Sequence, residues 1–135
     1  MTHRIVNPDA LGAPKGWNHG IVASSGRTLF VAGQSGWEDG AAGSPPGFAD
    51  QFARVLDKVL AVVREAGGGP TDIARITIYV TDLAQYRESR KRLGSAWRER
   101  FGAYYPAIAL VEVKGLVDRG ALVEMEATAV LGGKI

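Results

Sequence analysis

Residues 48–67 read FADQFARVLDKVLAVVREAG, and this stretch carries the strongest helical pattern in the chain. Its apolar side chains recur at a spacing of 3.6 residues, which predicts an amphipathic helix with one buried face. That face comprises Phe48, Phe52, Val55, Leu56, Val59, Leu60 and Val63. The glycines at 67–69 and the proline that follows them favour the end of the helix at this point.

The next stretch, IARITIYVTDL at residues 73–83, has the period of two that is typical of a β-strand. We predict that one side carries Ile73, Arg75, Thr77 and Tyr79, and the other Ala74, Ile76, Ile78 and Val80. We expect the apolar side to pack against the helices.

Further strands and a second helix surround this helix–strand unit. We predict strands at 20–24, 28–34, 107–113 and 121–131, and an irregular segment at 1–15. We also predict a helix at 83–102 whose buried stripe comprises Tyr86, Leu93, Trp97 and Phe101. The strands at 20–24 and 28–34 flank a short turn and are expected to form a β-hairpin. The order β-β-α-β-α-β-β indicates one α+β domain over residues 1–135, with a mixed sheet covered on one face by two helices.

Composition excludes several classes of protein. The chain has no cysteine, so disulfides, thiolate zinc sites and cysteine nucleophiles are ruled out. No stretch approaches the roughly 18 apolar residues of a membrane span, and the first residues lack the long apolar core of a signal peptide. We therefore expect a cytoplasmic protein without a membrane partner. Because no ligand pair has metal spacing and no phosphate-loop or nucleophile motif occurs, we also expect no metal or cofactor.

The charge pattern argues against a nucleic-acid partner. The net charge is +2, from 16 basic and 14 acidic residues. The densest basic run, residues 87–101, also contains Glu88 and Glu99. This interleaving favours a solvated helix face over a nucleic-acid surface.

One face of the predicted sheet has no helix to cover it. Apolar residues on that face stand beside Tyr79, Glu124 and Glu126. Such a face usually marks an interface, and we expect copies of the chain to pack there in a closed oligomer. Carboxylates at that interface would be partly desolvated, which raises a carboxylate pKa and favours acid–base chemistry at neutral pH.

Four stretches carry a family resemblance over nearly the whole chain. They are GRTLFVAGQSGW (26–37), ARITIYVTDLAQY (74–86), YYPAIALVEVKGL (104–116) and GALVEMEATAV (120–130). In this order and spacing they resemble the Rid family, also called YjgF/YER057c/UK114. The resemblance implies a chorismate-mutase-like fold and a homotrimer with three clefts between subunits. It also implies hydrolysis of reactive enamines and imines, such as those released by PLP enzymes, to ketones and ammonia.

The resemblance further implies roles for single positions. In the family's imine deaminases an arginine follows PA and grips the substrate carboxylate, and here that position is Ile108. A charge-assisted contact of this kind contributes about 1.5–3 kcal/mol, and isoleucine cannot replace it. The family's glutamate in the last strand, to which the holding or activation of water is attributed, matches Glu124. The family's tyrosine aligns with Trp17, and its serine before GQ becomes Ala32, with Gln34 retained.

These positions form a candidate site. Glu124 is the predicted general acid or base, and His19 is a second candidate for proton transfer because histidine titrates near neutral pH. The alternative for His19 is a loop residue hydrogen-bonded to the backbone. Trp17 is expected either to stack on a ligand or to plug the subunit interface, and Ile108 and Leu110 are expected to line the pocket with backbone groups that hold a polar atom.

Four charged residues near this site carry weaker expectations. Glu126 shares a face with Glu124 and is expected to be structural, while Glu112 shares the side of Ile108 in a regular strand. Arg75 and Lys114 are the basic residues expected nearest the cleft, where either would supply the missing anion contact.

Three functions remain open from the sequence. The first is a Rid-like enzyme that hydrolyses a reactive imine or enamine other than the standard small carboxylate imine. The second is a non-catalytic small-molecule-binding or chaperone-like trimer. The third is an endoribonuclease-like translation inhibitor, against which the charge pattern argues.

Overall fold

The structure is a computed structural model and describes residues 3–132. Its strands and helices are β1 (Arg4–Val6), β2 (Gly20–Val22), β3 (Arg27–Ser35), α1 (Phe48–Glu65), β4 (Ile73–Val80), α2 (Leu83–Glu88), α3 (Arg90–Phe101), β5 (Ala107–Glu112) and β6 (Val123–Leu131). No described helix is both long enough and apolar enough to cross a membrane.

The core is a four-stranded mixed sheet in the order β3-β6-β4-β5. β6 runs antiparallel to both of its neighbours, and β4 and β5 are parallel. The helix layer packs against one face of this sheet, as the sequence predicts, because α1 lies against β3 and β6 and α3 packs beside α1.

α1 confirms the helix predicted from the period of 3.6. Its buried face is fully sealed from water at Val55, Leu56, Val59, Leu60 and Val63. Burial of each such side chain stabilises the fold by about 1.5–3 kcal/mol. The helix ends at Glu65, and Gly67 follows with a φ of +92°, a left-handed conformation that glycine adopts without steric cost.

The predicted hairpin between residues 20–24 and 28–34 is wrong. β2 pairs instead with β1, in a separate two-stranded antiparallel sheet where Arg4 lies opposite Val22. β3 is an edge strand of the central sheet, where it pairs with β6 and not with β2. Part of the segment predicted to be irregular is therefore a strand, and buried His3 anchors it through Nε2 to the carbonyl oxygen of Asp72 at 2.9 Å.

The predicted sides of β4 are correct except at its start. Ile73 pairs with Ala129 of β6, whereas Arg75 pairs with Thr128, so one extra residue of β4 is accommodated as a β-bulge. The bulge reverses the alternation, and Ile73 is buried in the core like Ile76 instead of sharing the side of Arg75.

The second helix is broken rather than continuous over 83–102. Ser89 has φ −97° and ψ 1°, and its N–H contacts the carbonyl oxygens of both Gln85 and Tyr86, so α2 closes with a tightened last turn. Three of the four side chains predicted for the buried stripe are buried, namely Leu93, Trp97 and Phe101, and Tyr86 is half-buried.

Candidate functional site

Glu124 lies on the face of the sheet that the helices leave open. Val123 and Met125 on either side of it are fully buried toward the helices, so the alternation of the strand directs Glu124 the opposite way. Its cross-strand neighbour on β4 is Tyr79. Among residues 3–132, no hydrogen bond or ion pair engages the Glu124 carboxylate, which keeps its full capacity to accept hydrogen bonds.

β3 bulges next to this carboxylate. The strand register shifts between Val31 and Gln34, and the bulge brings the backbone of Gly33 against the Glu124 side chain. A Cβ at position 33 would lie 2.5 Å from Oε2 of Glu124, so only glycine fits there without displacing the acid. The predicted binding residues Ala32 and Gln34 belong to the same bulge, where Nε2 of Gln34 donates to the carbonyl oxygen of Ala32 at 3.1 Å.

Glu126 also faces the open side, but its carboxylate is already engaged. The Tyr79 hydroxyl donates to its Oε2 at 2.7 Å. This hydrogen bond raises the pKa of Tyr79, and removal of the phenol from water and the negative charges of Glu126 and Glu124 act in the same direction. The contact gives Glu126 a structural partner that Glu124 does not have.

Ile108 and Leu110 lie on the other face of the sheet. In the parallel pair of β4 and β5, Ile108 is level with Ile76 and Leu110 with Ile78, and both partners are core residues. Residues in register share a face, and both side chains pack against the core from the helix side. The sheet therefore separates both side chains from Glu124 within one chain.

A cavity of about 520 Å³ opens beside Ile108 and Leu110. β4 and β5 contribute its apolar side together with the ring of Trp97. Residues 15–17 also border it, and among them Trp17 is 40% exposed. The predicted proximity of Trp17 to Ile108 and Leu110 is therefore observed.

α2 and α3 contribute residues to this cavity that were not predicted from the sequence. They are Tyr86, Arg87, Arg90 and Gly94. The charged run that contains three of them was interpreted as a solvated face. The available signal was the spacing of four residues from Arg90 to Gly94, which places both positions on one face of α3.

The segment that carries Trp17 and His19 is fixed alongside β5. Asn18 donates its backbone N–H to the carbonyl oxygen of Pro106 at 3.1 Å and its Nδ2 to that of Tyr105 at 2.6 Å. The His19 ring contacts the carbonyl oxygen of Gly12 through Nε2 at 3.1 Å. His19 therefore makes the hydrogen bond to the backbone that is expected if it is a structural loop residue.

A smaller cavity of about 280 Å³ brings His19 and Trp17 together with Arg75 and Ala109. Of the two cations predicted near the cleft, Arg75 lies in this cavity, and Lys114 is exposed in the loop after β5. Glu112 is used structurally, since its Oε1 accepts the backbone N–H of Leu83 at 3.0 Å at the start of α2. No three metal-ligating side chains converge anywhere in residues 3–132.

Comparison with known proteins identifies the family. The family model described as endoribonuclease L-PSP matches residues 7–131. The crystal structure of a Rid-family protein, YyfB of Yersinia pestis, superposes with a TM-score of 0.81 at 31% identity, covering 97% of this chain and 100% of that one. The chain belongs to the Rid family.

Two curated relatives extend this comparison. A RutC family protein of Pyrococcus abyssi is 32% identical over 105 residues, which are 77% of this chain and 79% of the relative. A rat protein named 2-iminobutanoate/2-iminopropanoate deaminase is 27% identical over 127 residues, which are 93% of this chain and 85% of the relative. Membership of the Rid family confirms the chorismate-mutase-like α+β fold.

Proposed function

We propose that this Rid-family protein hydrolyses a reactive imine or enamine, and that Glu124 positions the attacking water and transfers its protons. The observation that carries the proposal is the Glu124 carboxylate, free of intramolecular partners in the described chain and seated over Gly33 on the open face of the sheet. A carboxylate that no hydrogen bond or ion pair engages can exchange protons with water and substrate.

The site would be completed between copies of the chain. The open face exposes 78% of Phe30 and 44% of Val111 beside Glu124, and an apolar surface of this kind favours association. We infer a homotrimer in which Glu124 of one subunit faces the cavity beside Ile108 of its neighbour. This arrangement accounts for the placement of the two residues on opposite faces of a single sheet.

The chemistry requires only water and proton transfer. Glu124 would accept a proton from water as the water oxygen adds to the imine carbon, which forms a carbinolamine. The same carboxyl group would pass that proton to the imine nitrogen. It would then take the proton of the carbinolamine hydroxyl and deliver it to the nitrogen, so that the carbon–nitrogen bond breaks, ammonia leaves and the carbonyl group forms. The name of the rat relative, an imine deaminase, supports this reaction type.

The substrate would differ from the standard small carboxylate imine. Ile108 offers no charge-assisted hydrogen bond to a carboxylate, and the cavity beside it is lined by apolar and aromatic side chains. A substrate with a larger apolar body would bury more surface there, and each square ångström of apolar surface removed from water contributes about 25 cal/mol.

The test is a hydrolysis assay on imines made in situ by an amino-acid oxidase from phenylalanine or leucine. We expect Glu124→Gln to lower the rate of ammonia release above the spontaneous background by about 100-fold or more. Glu126→Gln is the matched control and should retain the rate, because it removes an acid on the same strand face that is bonded to Tyr79. Equal rates for wild type and Glu124→Gln would refute the proposed role.

A non-catalytic binding or chaperone-like trimer is the second candidate. It is favoured by the apolar side chains of Ile108 and Ala32 at positions where the family's deaminases carry polar ones. Ligand binding without turnover of any imine would support it. The endoribonuclease-like alternative stays a prediction that the near-neutral charge disfavours, and salt-sensitive RNA cleavage by a nuclease-free preparation would restore it.

A further inference from the structure

The cavity beside Ile108 carries a pattern of charge that its apolar interior does not require. Its volume of about 520 Å³ lies within the range of small-molecule sites, about 300–1,000 Å³. Three cations line it, namely Lys15, Arg87 and Arg90, and no aspartate or glutamate of the described chain does. An apolar cavity bordered by unbalanced positive charge is complementary to an anion with an apolar body.

Arg87 of α2 and Arg90 of α3 differ from Arg92 and Arg100 of α3, each of which has an acidic partner. Arg92 forms an ion pair with Asp50 at 3.1 Å, and Arg100 forms one with Asp57 at 2.6 Å. Within residues 3–132, no carboxylate lies in ion-pair range of Arg87 or Arg90. Their charges are therefore available to a ligand.

Arg90 is also held in place at the cavity. Its guanidinium carbon lies 5.7 Å from the centroid of the Tyr86 ring, a cation–π contact that restrains the side chain without using its hydrogen-bond donors. Both Tyr86 and Arg90 line the cavity, as does Gly94 one turn further along α3.

We propose that Arg90, assisted by Arg87, holds the carboxylate of the ligand, and that the ligand is an organic acid with a large apolar or aromatic body. The guanidinium groups stand on the helix side of the cavity, and the body would lie against Ile108, Leu110 and Trp97. Resting on the proposed function, this assigns the substrate class as 2-imino acids with bulky apolar side chains and the product as the matching 2-oxo acid. Arg90 and Arg87, on the helix side of the cavity, thus supply the anion contact that Ile108 cannot make.

The experiment measures binding of phenylpyruvate, a product of that class, by isothermal titration calorimetry. The double variant Arg87→Ala/Arg90→Ala should bind about tenfold or more weakly than wild type, because it loses charge-assisted hydrogen bonds. Arg92→Ala is the matched control and should bind as wild type does, because Arg92 lies on α3 with Arg90 but is paired with Asp50 and does not line the cavity. A neutral ligand, 2-phenylethanol, should bind wild type and the double variant equally.

Three outcomes would overturn the inference: no binding of phenylpyruvate to wild type, equal binding by the double variant, or an equal loss in Arg92→Ala. The inference and the proposed function fail separately. Arginine-dependent binding without imine turnover would support the anion site and contradict the proposed hydrolysis. Turnover that needs Glu124 but not the arginines would support the hydrolysis and contradict the anion site.

Discussion

The carboxylate of Glu124 occupies the space that a side chain at Gly33 would need, because a Cβ at position 33 would come within 2.5 Å of Oε2. The two residues belong to neighbouring strands, β6 and β3, and the bulge in β3 brings them together. Gly33 therefore determines where the carboxylate of Glu124, the proposed catalytic acid, can lie.

Gly33→Ala should impair hydrolysis more than stability. The new methyl group would displace the carboxylate by an ångström or more, and a displacement of that size can reduce a rate about 100-fold. The measurement is imine hydrolysis together with thermal unfolding. Gly115→Ala is the control, since a Cβ there meets no atom within 4 Å and its φ is not left-handed. Full activity in Gly33→Ala would show that the position of Glu124 is not limiting.

Phe30→Asp should break the proposed trimer. Phe30 is 78% exposed on the open face, and a charge there would have to be desolvated for the copies to pack. Light scattering should give a mass near the 14.3 kDa of one chain instead of three times that value. Val117→Asp, at a loop residue that is 93% exposed, should leave the trimer intact. A trimeric Phe30→Asp protein would place the interface elsewhere.

Tyr104 should make the stability depend on alkaline pH. Burial, assisted by the negative charge of Asp72, raises the pKa of its hydroxyl to about 12, and the hydroxyl donates to the carbonyl oxygen of Ile73. Because the folded-state pKa lies above the unfolded value of 10.0, the stabilisation is fully present below pH 10 and is lost as the pH rises through about 12.

Urea unfolding at a fixed protein concentration would test this dependence. The advantage of wild type over Tyr104→Phe in free energy of unfolding should be constant up to pH 10 and should shrink between pH 10 and about 12. An advantage that does not change across this interval would contradict the assignment.

Ile108→Arg should gain activity on the small imine 2-iminobutanoate. An arginine at this position would place a bidentate donor beside the cavity, and a charge-assisted hydrogen bond of about 1.5–3 kcal/mol corresponds to a gain of about tenfold or more. The assay couples a PLP enzyme that releases the imine to detection of the 2-oxo acid. Val117→Arg is the control, because it adds the same side chain at a loop residue that is 93% exposed. A wild-type rate already equal to that of Ile108→Arg would show that small imines do not need an anchor at position 108.

Local periodicity accounts for the parts of the fold that the sequence predicted. α1 and the core side of β4 follow from spacings of 3.6 and two residues, which neighbouring residues in the chain define by themselves. The same holds for the buried stripe of Leu93, Trp97 and Phe101. The family motifs added the candidate site positions, including Glu124 and Ile108.

Pairing between distant strands decided the rest. The sequence by itself determined that these residues form helices and strands with defined apolar faces, because that information is local. Only the tertiary structure decided that β2 pairs with β1, that bulges reverse the side of Ile73 and seat Glu124 over Gly33, and that Glu124 and Ile108 lie on opposite faces of one sheet. Each of these depends on the register between strands far apart in the chain, and a shift of one residue in register exchanges the two faces.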